Sequence, residues 1–206
     1  MAEKLKAYGL VAPITHFSYD KIVNETEETI RFHDIIGAKY IGIGSMPGGP
    51  SVPSLVKMVA DLFPVLDKIT ESGHKFMYHN HHREFALMNG KNYLELICSA
   101  FPAEKCGITL DTYWAMAGGA DPIQWLKKLK GRVDCVHFKD MVFNPQDKAV
   151  RMAPIGSGNM NYEGIIEACL ESGVEYGFVE QDRCYDEDPF VCLKKSFEYF
   201  KAHGIN

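Results

Sequence analysis

A repeated pattern along the chain limits the folds that it can adopt. A helix-length amphipathic segment ends at a glycine, and a short apolar run rich in β-branched and aromatic residues follows within a few positions. The glycines are Gly9, Gly37, Gly73, Gly131 and Gly173, and the runs after them are LVAPI, YIGIG, KFMYH, VDCVHF and YGFVE. Glycine adopts the left-handed conformation that ends many helices, which other residues adopt only at a cost. The pattern predicts helices that alternate with strands.

Alternating strands and helices are typical of parallel βαβ units, whose covered strands read as continuous apolar runs. A further run, CGITLDTYW, brings the predicted strands to six, at about 10–16, 39–45, 75–81, 106–113, 133–139 and 175–181. Asp121-Pro122 and Asp188-Pro189 predict two helix starts, with a capping carboxylate before a proline. This alternating order of strands and helices fits an open doubly wound sheet or a (β/α)8 barrel. No GxGxxG or GxxxxGK[ST] loop follows the first strand, which disfavours a nucleotide-binding sheet.

Composition narrows the classes of partner. The chain has 206 residues, 46% of them hydrophobic, and no linker divides it, so we predict a single domain over 1–206. Its net charge of −5 argues against nucleic acid and acidic membranes as partners. With no apolar stretch long enough to span a bilayer or act as a signal peptide, we expect a cytoplasmic protein. The six cysteines form no CxxC pair and are expected to be thiols rather than disulfides.

Polar side chains interrupt four of the predicted strands near their C-terminal ends, where barrel enzymes keep their active sites. They are His79 and His81, Asp111, His137 and Lys139, and Glu180 and Asp182. Alternation places imidazoles and carboxylates on one face, where burial requires partners or a cation. A divalent metal would satisfy all of them, and Mn²⁺, Mg²⁺, Co²⁺ and Zn²⁺ all suit mixed ligands. Taken singly, Asp111 also fits a turn cap, Glu180 an ordinary salt bridge, and the histidines a surface patch.

Five segments carry a family resemblance: FMYHNHHREF, GITLDTYW, VDCVHFKD, APIGSGNMNY, and GFVEQDR followed by DPF. From about Leu10 to the C-terminus the chain resembles the xylose-isomerase-like TIM-barrel, or sugar phosphate isomerase/epimerase, superfamily. The resemblance implies an α/β fold of the (β/α) TIM-barrel type. It also implies metal ligands on four strands, of which the last three map onto Asp111, His137 and Glu180, while His79 stands where the family commonly has glutamate.

The chain departs from the family pattern in two places. The common ENH reads His79-Asn80-His81, which puts the family's paired-glutamate proton shuttle in doubt and offers His81 and Glu84 as replacement acid or base groups. This HNHxxEF variant looks nearer to inosose dehydratase and keto-sugar lyases. In addition, the first strand resembles the third of eight, so we expect an N-terminally shortened, incomplete barrel of six parallel strands. Its exposed edges predict a homo-oligomer in which another copy covers them.

The resemblance implies a metal-dependent isomerase or epimerase that acts on a sugar or sugar-like keto substrate through an enediolate. The expected catalytic residues are Glu180, Glu84, His81 and Lys139, and the expected substrate-binding residues are Trp114, Asp182 and Arg183. Phe138 is expected either to shape the pocket with Trp114 or to pack against the outer helices. The alternatives are a lyase or dehydratase acting on a keto-sugar or inosose, and an inactive sugar-binding or assembly subunit. An endonuclease of abasic DNA is disfavoured by the acidic charge.

Overall fold

The structure is a computed structural model that describes residues 1–205. It contains two compact units, Met1–Thr109 and the residues from Leu110 onward. The division falls inside one strand, β6 (Cys106–Asp111). The prediction of a single domain over 1–206 stays a prediction.

Unit 1 is built from parallel strands with helices between them. Its strands are β1 (Ile14–Phe17), β2 (Tyr40–Ile43), β3 (Lys75–His79), the short β4 (Leu87–Met88) and β5 (Lys91–Asn92), and the first part of β6. Its helices are α1 (Ala2–Ala7), α2 (Tyr19–Asn24), α3 (Thr26–Ile36), α4 (Val52–Glu71) and α5 (Tyr93–Ala100), with a 3₁₀ turn at His82–Phe85. β1, β2, β3 and β6 pair in that order, and all three pairings are parallel.

The strands of unit 1 lie very close together at Gly42. This residue stands opposite His16 in the register of β1 and β2. A Cβ atom on Gly42 would lie 2.5 Å from Cδ2 of His16 and 2.7 Å from the carbonyl oxygen of Thr15. β2 is buried at every position, as expected for a strand covered on both faces. The close packing of β2 against β1 therefore leaves no space for a side chain at Gly42 of the YIGIG run.

His33 of α3 joins that helix to β1 through a fully buried imidazole. Its Nδ1 lies 2.7 Å from the carbonyl oxygen of Thr29, and its Nε2 lies 2.8 Å from Oγ1 of Thr15. A carbonyl only accepts, so Nδ1 carries the proton and Nε2 of the neutral ring accepts from the threonine hydroxyl. Burial lowers the pKa of His33, and the bond to Thr29 only partly opposes this effect. The folded chain therefore favours the neutral ring.

This lowered pKa predicts acid sensitivity. The unfolded state binds a proton at His33 as the pH falls below about 6.5, while the folded state resists protonation. The free energy of unfolding should therefore be highest above that pH and decline below it, by at most about 1.4 kcal/mol per pH unit from this group. Urea denaturation between pH 7 and pH 5 measures the decline. His33→Gln should flatten it and the exposed control His203→Gln should not; equal slopes in all three proteins would contradict the prediction.

Unit 2 continues the alternation of strands and helices. Its main strands are β7 (Val133–Phe138) and β10 (Tyr176–Val179), which pair in parallel, and β8 (Asp140–Asn144) forms an antiparallel hairpin with β9 (Ala149–Ala153). Its helices are α6 (Thr112–Ala117), α7 (Pro122–Lys128), α8 (Tyr162–Ser172) and α9 (Pro189–Ala202). The end of β6 lies beside β7. Thr112, which directly follows β6, contacts the carbonyl oxygens of His137 and Lys139 through its hydroxyl group.

The helix boundaries confirm the local signals in the sequence. All five glycines of the repeated pattern have positive φ, and those at 37 and 173 cap α3 and α8 in the left-handed conformation. Asp121 accepts from the backbone N–H of Ile123 at the start of α7, and Asp188 accepts from that of Phe190 at the start of α9. All six cysteines are free thiols, four of them buried. Across residues 1–205, no helix has the length and apolar character needed to cross a membrane.

Candidate metal centre

Polar side chains in unit 2 meet where β6, β7 and β10 end. Asp111 is the last residue of β6, and its fully buried carboxylate caps α6 by accepting from the backbone N–H of Trp114 at 2.9 Å. His137 lies on β7 opposite Phe178 of β10. Glu180, two residues after Phe178, therefore comes beside the end of β7, where its N–H donates to the carbonyl oxygen of Phe138. Parallel strands bring these chemically active residues to one edge.

The centre of this cluster is the ammonium group of Lys139. Its Nζ lies 3.1 Å from Oδ2 of Asp111, 3.0 Å from Oε2 of Glu180 and 3.1 Å from Oδ1 of Asp182. The imidazole of His137 approaches two of these three oxygens. Its Nδ1 lies 3.1 Å from Oε2 of Glu180 and 3.9 Å from Oδ2 of Asp111. One carboxylate oxygen of Asp111 and one of Glu180 thus face both His137 and Lys139.

Charge and burial act against each other at this cluster. Burial raises the pKa of Glu180, but His137 and Lys139 outweigh it and hold that pKa well below its ordinary value. Burial lowers the pKa of Lys139, and the carboxylates of Asp111, Glu180 and Asp182 raise it above its ordinary value. Lys139 is only 3% exposed, whereas the side chain of Glu180 is 39% exposed. Glu180 is therefore an ionised group that a small molecule can reach.

The donor atoms of unit 2 fit a divalent cation. The cap to Trp114 engages Oδ1 of Asp111, and the other oxygen faces the imidazole of His137. Together with Oε2 of Glu180, these atoms form a mixed nitrogen and oxygen set of the kind that Mn²⁺, Zn²⁺ and related ions accept. Three carboxyl groups surround a single ammonium, so added positive charge would lower the cost of burying them.

Unit 1 contains the fourth predicted ligand, His79, at the end of β3. It is buried and stands opposite Thr109 in the register of β3 and β6. Its Nδ1 lies 3.0 Å from the carbonyl oxygen of Gly44. Because a carbonyl only accepts, that bond places the ring proton on Nδ1 and the lone pair of the neutral ring on Nε2. The rings of His16 and His81 lie 5.3 and 4.7 Å from that of His79.

Glu84, predicted as an acid or base together with His81, has structural contacts within unit 1. Its buried carboxylate accepts from the hydroxyl of Tyr78 at 2.9 Å, the backbone N–H of His81 at 2.8 Å and Nε of Arg83 at 3.2 Å. These bonds involve both of its oxygens and fix the turn after β3. The observed contacts of Glu84 are those of a positioning group, and the acid or base role of Glu84 and His81 stays a prediction.

The predicted substrate-binding residues of unit 2 lie in different environments. Trp114 is half-buried, and its ring contacts that of Tyr113 at 4.9 Å. Asp182 pairs with Lys139, and Arg183 is exposed on the loop after β10. Phe138 packs against the rings of Phe200 and Tyr162 from α9 and α8, at 4.9 and 6.2 Å. Of the two alternatives for Phe138, packing against the outer helices is the one with observed contacts, and a role in shaping the pocket stays a prediction.

Asp140 is a site-supporting residue that the sequence reasoning missed. Its buried carboxylate accepts from the backbone N–H groups of Met141, Gly156, Gly158 and Met160, at 2.7 to 3.3 Å. Burial raises the pKa of Asp140, and these four bonds oppose that effect. The signal was present in the GSG spacing of APIGSGNMNY, which lets the backbone approach a carboxylate closely. Asp140 thus holds the loop before α8 beside the candidate site.

Gly158→Ala is expected to destabilise this loop. The added Cβ would lie 2.3 Å from Oδ1 of Asp140 and 2.4 Å from the carbonyl oxygen of Met141, so one of them must shift. Overpacking of this kind costs roughly 1–3 kcal/mol. Urea denaturation should show the loss, while Gly49→Ala, whose Cβ meets nothing within 4 Å, should stay within about 1 kcal/mol of the parent chain. Equal stability of the two variants would contradict the proposed packing.

Comparisons place this arrangement in a known family. Residues 4–187 match the family model described as xylose isomerase-like TIM barrel. The chain therefore belongs to the xylose isomerase-like TIM-barrel family, and the predicted incomplete TIM-barrel fold with six parallel strands is confirmed. Among curated proteins, none matches the chain at a significant level.

Several solved structures share the fold. A sugar phosphate isomerase/epimerase from Parabacteroides distasonis is 21% identical, with a TM-score of 0.81 over 98% of this chain and 74% of the other. A D-allulose 3-epimerase from Methylomonas sp. is 15% identical, with a TM-score of 0.68 over 98% and 80%. A probable 3-DHS dehydratase from Bacillus anthracis is 16% identical, with a TM-score of 0.72 over 98% and 80%. Identities this low establish only the shared fold.

Proposed function

We propose that this chain is a metal-dependent isomerase or epimerase that moves a proton next to the carbonyl group of a sugar or sugar-like keto substrate. The observation that carries the proposal is the convergence of Asp111, His137 and Glu180 around shared donor positions in unit 2. Family membership and the isomerases and epimerases among the structural neighbours support the same class.

The proposed ligands are Asp111, His137, Glu180 and His79. The first three have donor atoms that face one another in unit 2. His79 is proposed because it is buried at the end of β3 and because its Nδ1 hydrogen bond to the carbonyl oxygen of Gly44 leaves the imidazole lone pair on Nε2. A bound Mn²⁺, Mg²⁺, Co²⁺ or Zn²⁺ would supply Lewis acidity toward the substrate oxygens. The ion is the proposed cofactor. A comparison of turnover with each of these metals would identify it.

The residues around the ligands have complementary roles in this proposal. Glu180 is ionised and partly exposed, which is the state required of a base that accepts a carbon-bound proton. Lys139 keeps its proton among carboxylates and donates toward negative charge that develops on a substrate oxygen. Arg183 extends from the loop after β10, and Trp114 offers a half-buried ring to the C–H faces of a sugar. Asp182 contributes by holding Lys139.

Elimination is the second candidate reaction, since one structural neighbour is a probable dehydratase. The same proton abstraction ends in loss of water if a hydroxyl group leaves from the adjacent carbon. His79 in place of the glutamate common in the family favours this alternative, because it removes one of two carboxylates that would exchange a proton across the substrate. A sugar-binding subunit without activity is the third candidate.

A product assay distinguishes these candidates. The chain is incubated with Mn²⁺ and a panel of keto-sugars and inososes in deuterated water, and products are followed by NMR. Isomerisation or epimerisation should place deuterium on the carbon next to the carbonyl, whereas elimination should give a product with one water fewer. Glu180→Gln, which keeps the side-chain shape, should remove either activity. Tight sugar binding without exchange or turnover would contradict an enzymatic role and favour the inactive subunit.

Self-association is proposed at the free edge of β10. Within residues 1–205, β10 pairs with β7 on one side and has no strand on the other. An apolar groove of about 650 Å³ lies beside it, and its rim includes Leu170 and Phe197, which are 74% and 58% exposed. A second copy fits this edge because its β1, which pairs in parallel with β2 on one side, can add to β10 as a further parallel strand.

Light scattering tests the proposed self-association. The parent chain should form a dimer or larger species at micromolar concentration, and Phe197→Glu should shift it to a monomer by placing a charge against the groove. Leu87→Glu, which changes a still more exposed apolar residue of unit 1, should leave the assembly unchanged. A monomeric parent chain would contradict the proposal.

A further inference from the structure

The hydroxyl group of Thr112 has four polar contacts beside the candidate metal centre. Thr112 follows Asp111 directly and is fully buried. Its Oγ1 lies 3.0 Å from the backbone nitrogen of Lys139, 3.0 Å from the carbonyl oxygen of the same residue and 3.2 Å from the carbonyl oxygen of His137. The phenol of Tyr162, from α8, completes the set at 3.0 Å.

Donor and acceptor rules give these contacts a direction. The backbone N–H of Lys139 donates to Oγ1, and the single hydroxyl proton is shared between the carbonyl oxygens of His137 and Lys139. The second lone pair of Oγ1 is then available to the hydroxyl of Tyr162. One threonine hydroxyl therefore binds both backbone polar groups of Lys139 and the carbonyl group of a proposed ligand.

This hydroxyl links the two strands that carry the centre. Asp111 is covalently attached to Thr112, and its side chain is fixed by the cap to Trp114. Lys139 and His137 belong to the neighbouring strand segment, and their side chains face Oδ2 of Asp111. Rotation or displacement of the Lys139 backbone would change all of these separations together. The spacing between the ligands of β6 and β7 depends on this crosslink.

We propose that Thr112 is a positioning residue of the metal centre, which holds His137 and Lys139 at the distance from Asp111 that metal binding requires. The inference rests on the proposed function, because it assumes that Asp111 and His137 bind a metal. It assigns Thr112 no contact with substrate. Tyr162 supports the same hydroxyl from α8 and is the less critical partner, since Thr112 retains its three strand contacts without it.

Cobalt binding tests the proposal without any substrate. Co²⁺ is titrated into the full chain, and its visible absorption reports both affinity and ligand geometry. Thr112→Val keeps the side-chain shape, removes the hydroxyl and should weaken Co²⁺ binding by about 10- to 100-fold, the usual loss when a group that orients a ligand is removed. Thr112→Ser restores the hydroxyl and should bring affinity and spectrum back close to those of the parent chain.

The matched control is Thr26→Val in unit 1. The Thr26 hydroxyl is also buried and donates to the backbone of α2, at the carbonyl oxygen of Ile22. The Thr26→Val substitution should reduce the stability of the chain without changing its Co²⁺ affinity. If Thr112→Val does not fold, Thr112→Ala takes its place, with the same expected loss and the same rescue by serine.

Parent-like Co²⁺ affinity and spectrum in the Thr112 variant would overturn the proposal, while metal binding by the parent chain would still support the proposed function. Failure of serine to restore either property would also overturn it, because the effect would then come from the methyl group. A parent chain that binds no Co²⁺ would overturn both the proposed function and this inference.

Discussion

Asp111→Asn is expected to weaken divalent-metal binding by more than about 100-fold, the upper end of the loss from removing a group that only orients a ligand. The substitution is nearly isosteric. The asparagine oxygen can still accept from the backbone N–H of Trp114, so the cap of α6 is retained. The negative charge that faces His137 and Lys139 is lost. Isothermal titration with Mn²⁺ measures the change, and turnover should fall with metal occupancy.

Asp121→Asn provides the matched control for this experiment. Asp121 also caps a helix through one carboxylate oxygen, which accepts from the backbone N–H of Ile123 at 2.9 Å. Among the residues that the structure describes, it belongs to no group of converging metal-ligand atoms, so its substitution should leave Mn²⁺ affinity unchanged. Parent-like affinity in Asp111→Asn would remove this carboxylate from the ligand set and contradict the proposed centre.

Lys139→Met is expected to destabilise the metal-free chain by about 3–5 kcal/mol, which is typical when one partner of a buried ion pair is removed. The methionine fills a similar volume but leaves the fully buried Asp111 carboxylate without its ammonium partner. Glu180 and Asp182 lose the same partner, although both are more exposed. Urea denaturation in the presence of a chelator measures the loss through the fluorescence of Trp114 and Trp125.

Addition of a divalent metal tests whether the loss of stability in Lys139→Met comes from uncompensated carboxylate charge. A divalent cation bound by the carboxylates should restore part of the lost stability, since binding to the folded state alone favours folding. The control Lys127→Met breaks an exposed pair with Glu171 and should cost less than about 1 kcal/mol with or without metal. A Lys139→Met variant as stable as the parent chain would contradict the account of a charge-compensated cluster.

The strand pattern could be predicted from sequence because buried parallel strands leave continuous apolar runs. β6 and β7 begin where they were expected, at Cys106 and Val133. β1 begins at Ile14 rather than near residue 10, because Leu10 and Val11 are exposed and precede Pro13. The β8–β9 hairpin was missed, since the apolar runs in its two strands are short and are interrupted by Asp140, Asn144 and Arg151. Apolar character therefore located the core strands, but it did not identify the surface hairpin.

The sequence also predicted only part of the candidate site. Asp111, His137 and Glu180 were chosen because strand ends meet at one edge of a parallel sheet, and in unit 2 they do lie together. The contacts of Thr112 could not be derived from spacing, because they depend on the register between β6 and β7. The GSG spacing indicates a close backbone approach, but it does not identify Asp140 as the partner, because that contact depends on the path of the loop before α8. Residues that support a site through backbone contacts carry little signal in a single sequence.

The most direct test of the central claim is a crystal structure of the chain with Mn²⁺, examined by anomalous scattering. The account predicts one strong anomalous peak within about 2.0–2.6 Å of Asp111 Oδ2, Glu180 Oε2 and His137 Nδ1. Saturating Mn²⁺ without a peak at these atoms, or with a peak only at other residues, would contradict the account of a metal centre at the ends of β6, β7 and β10.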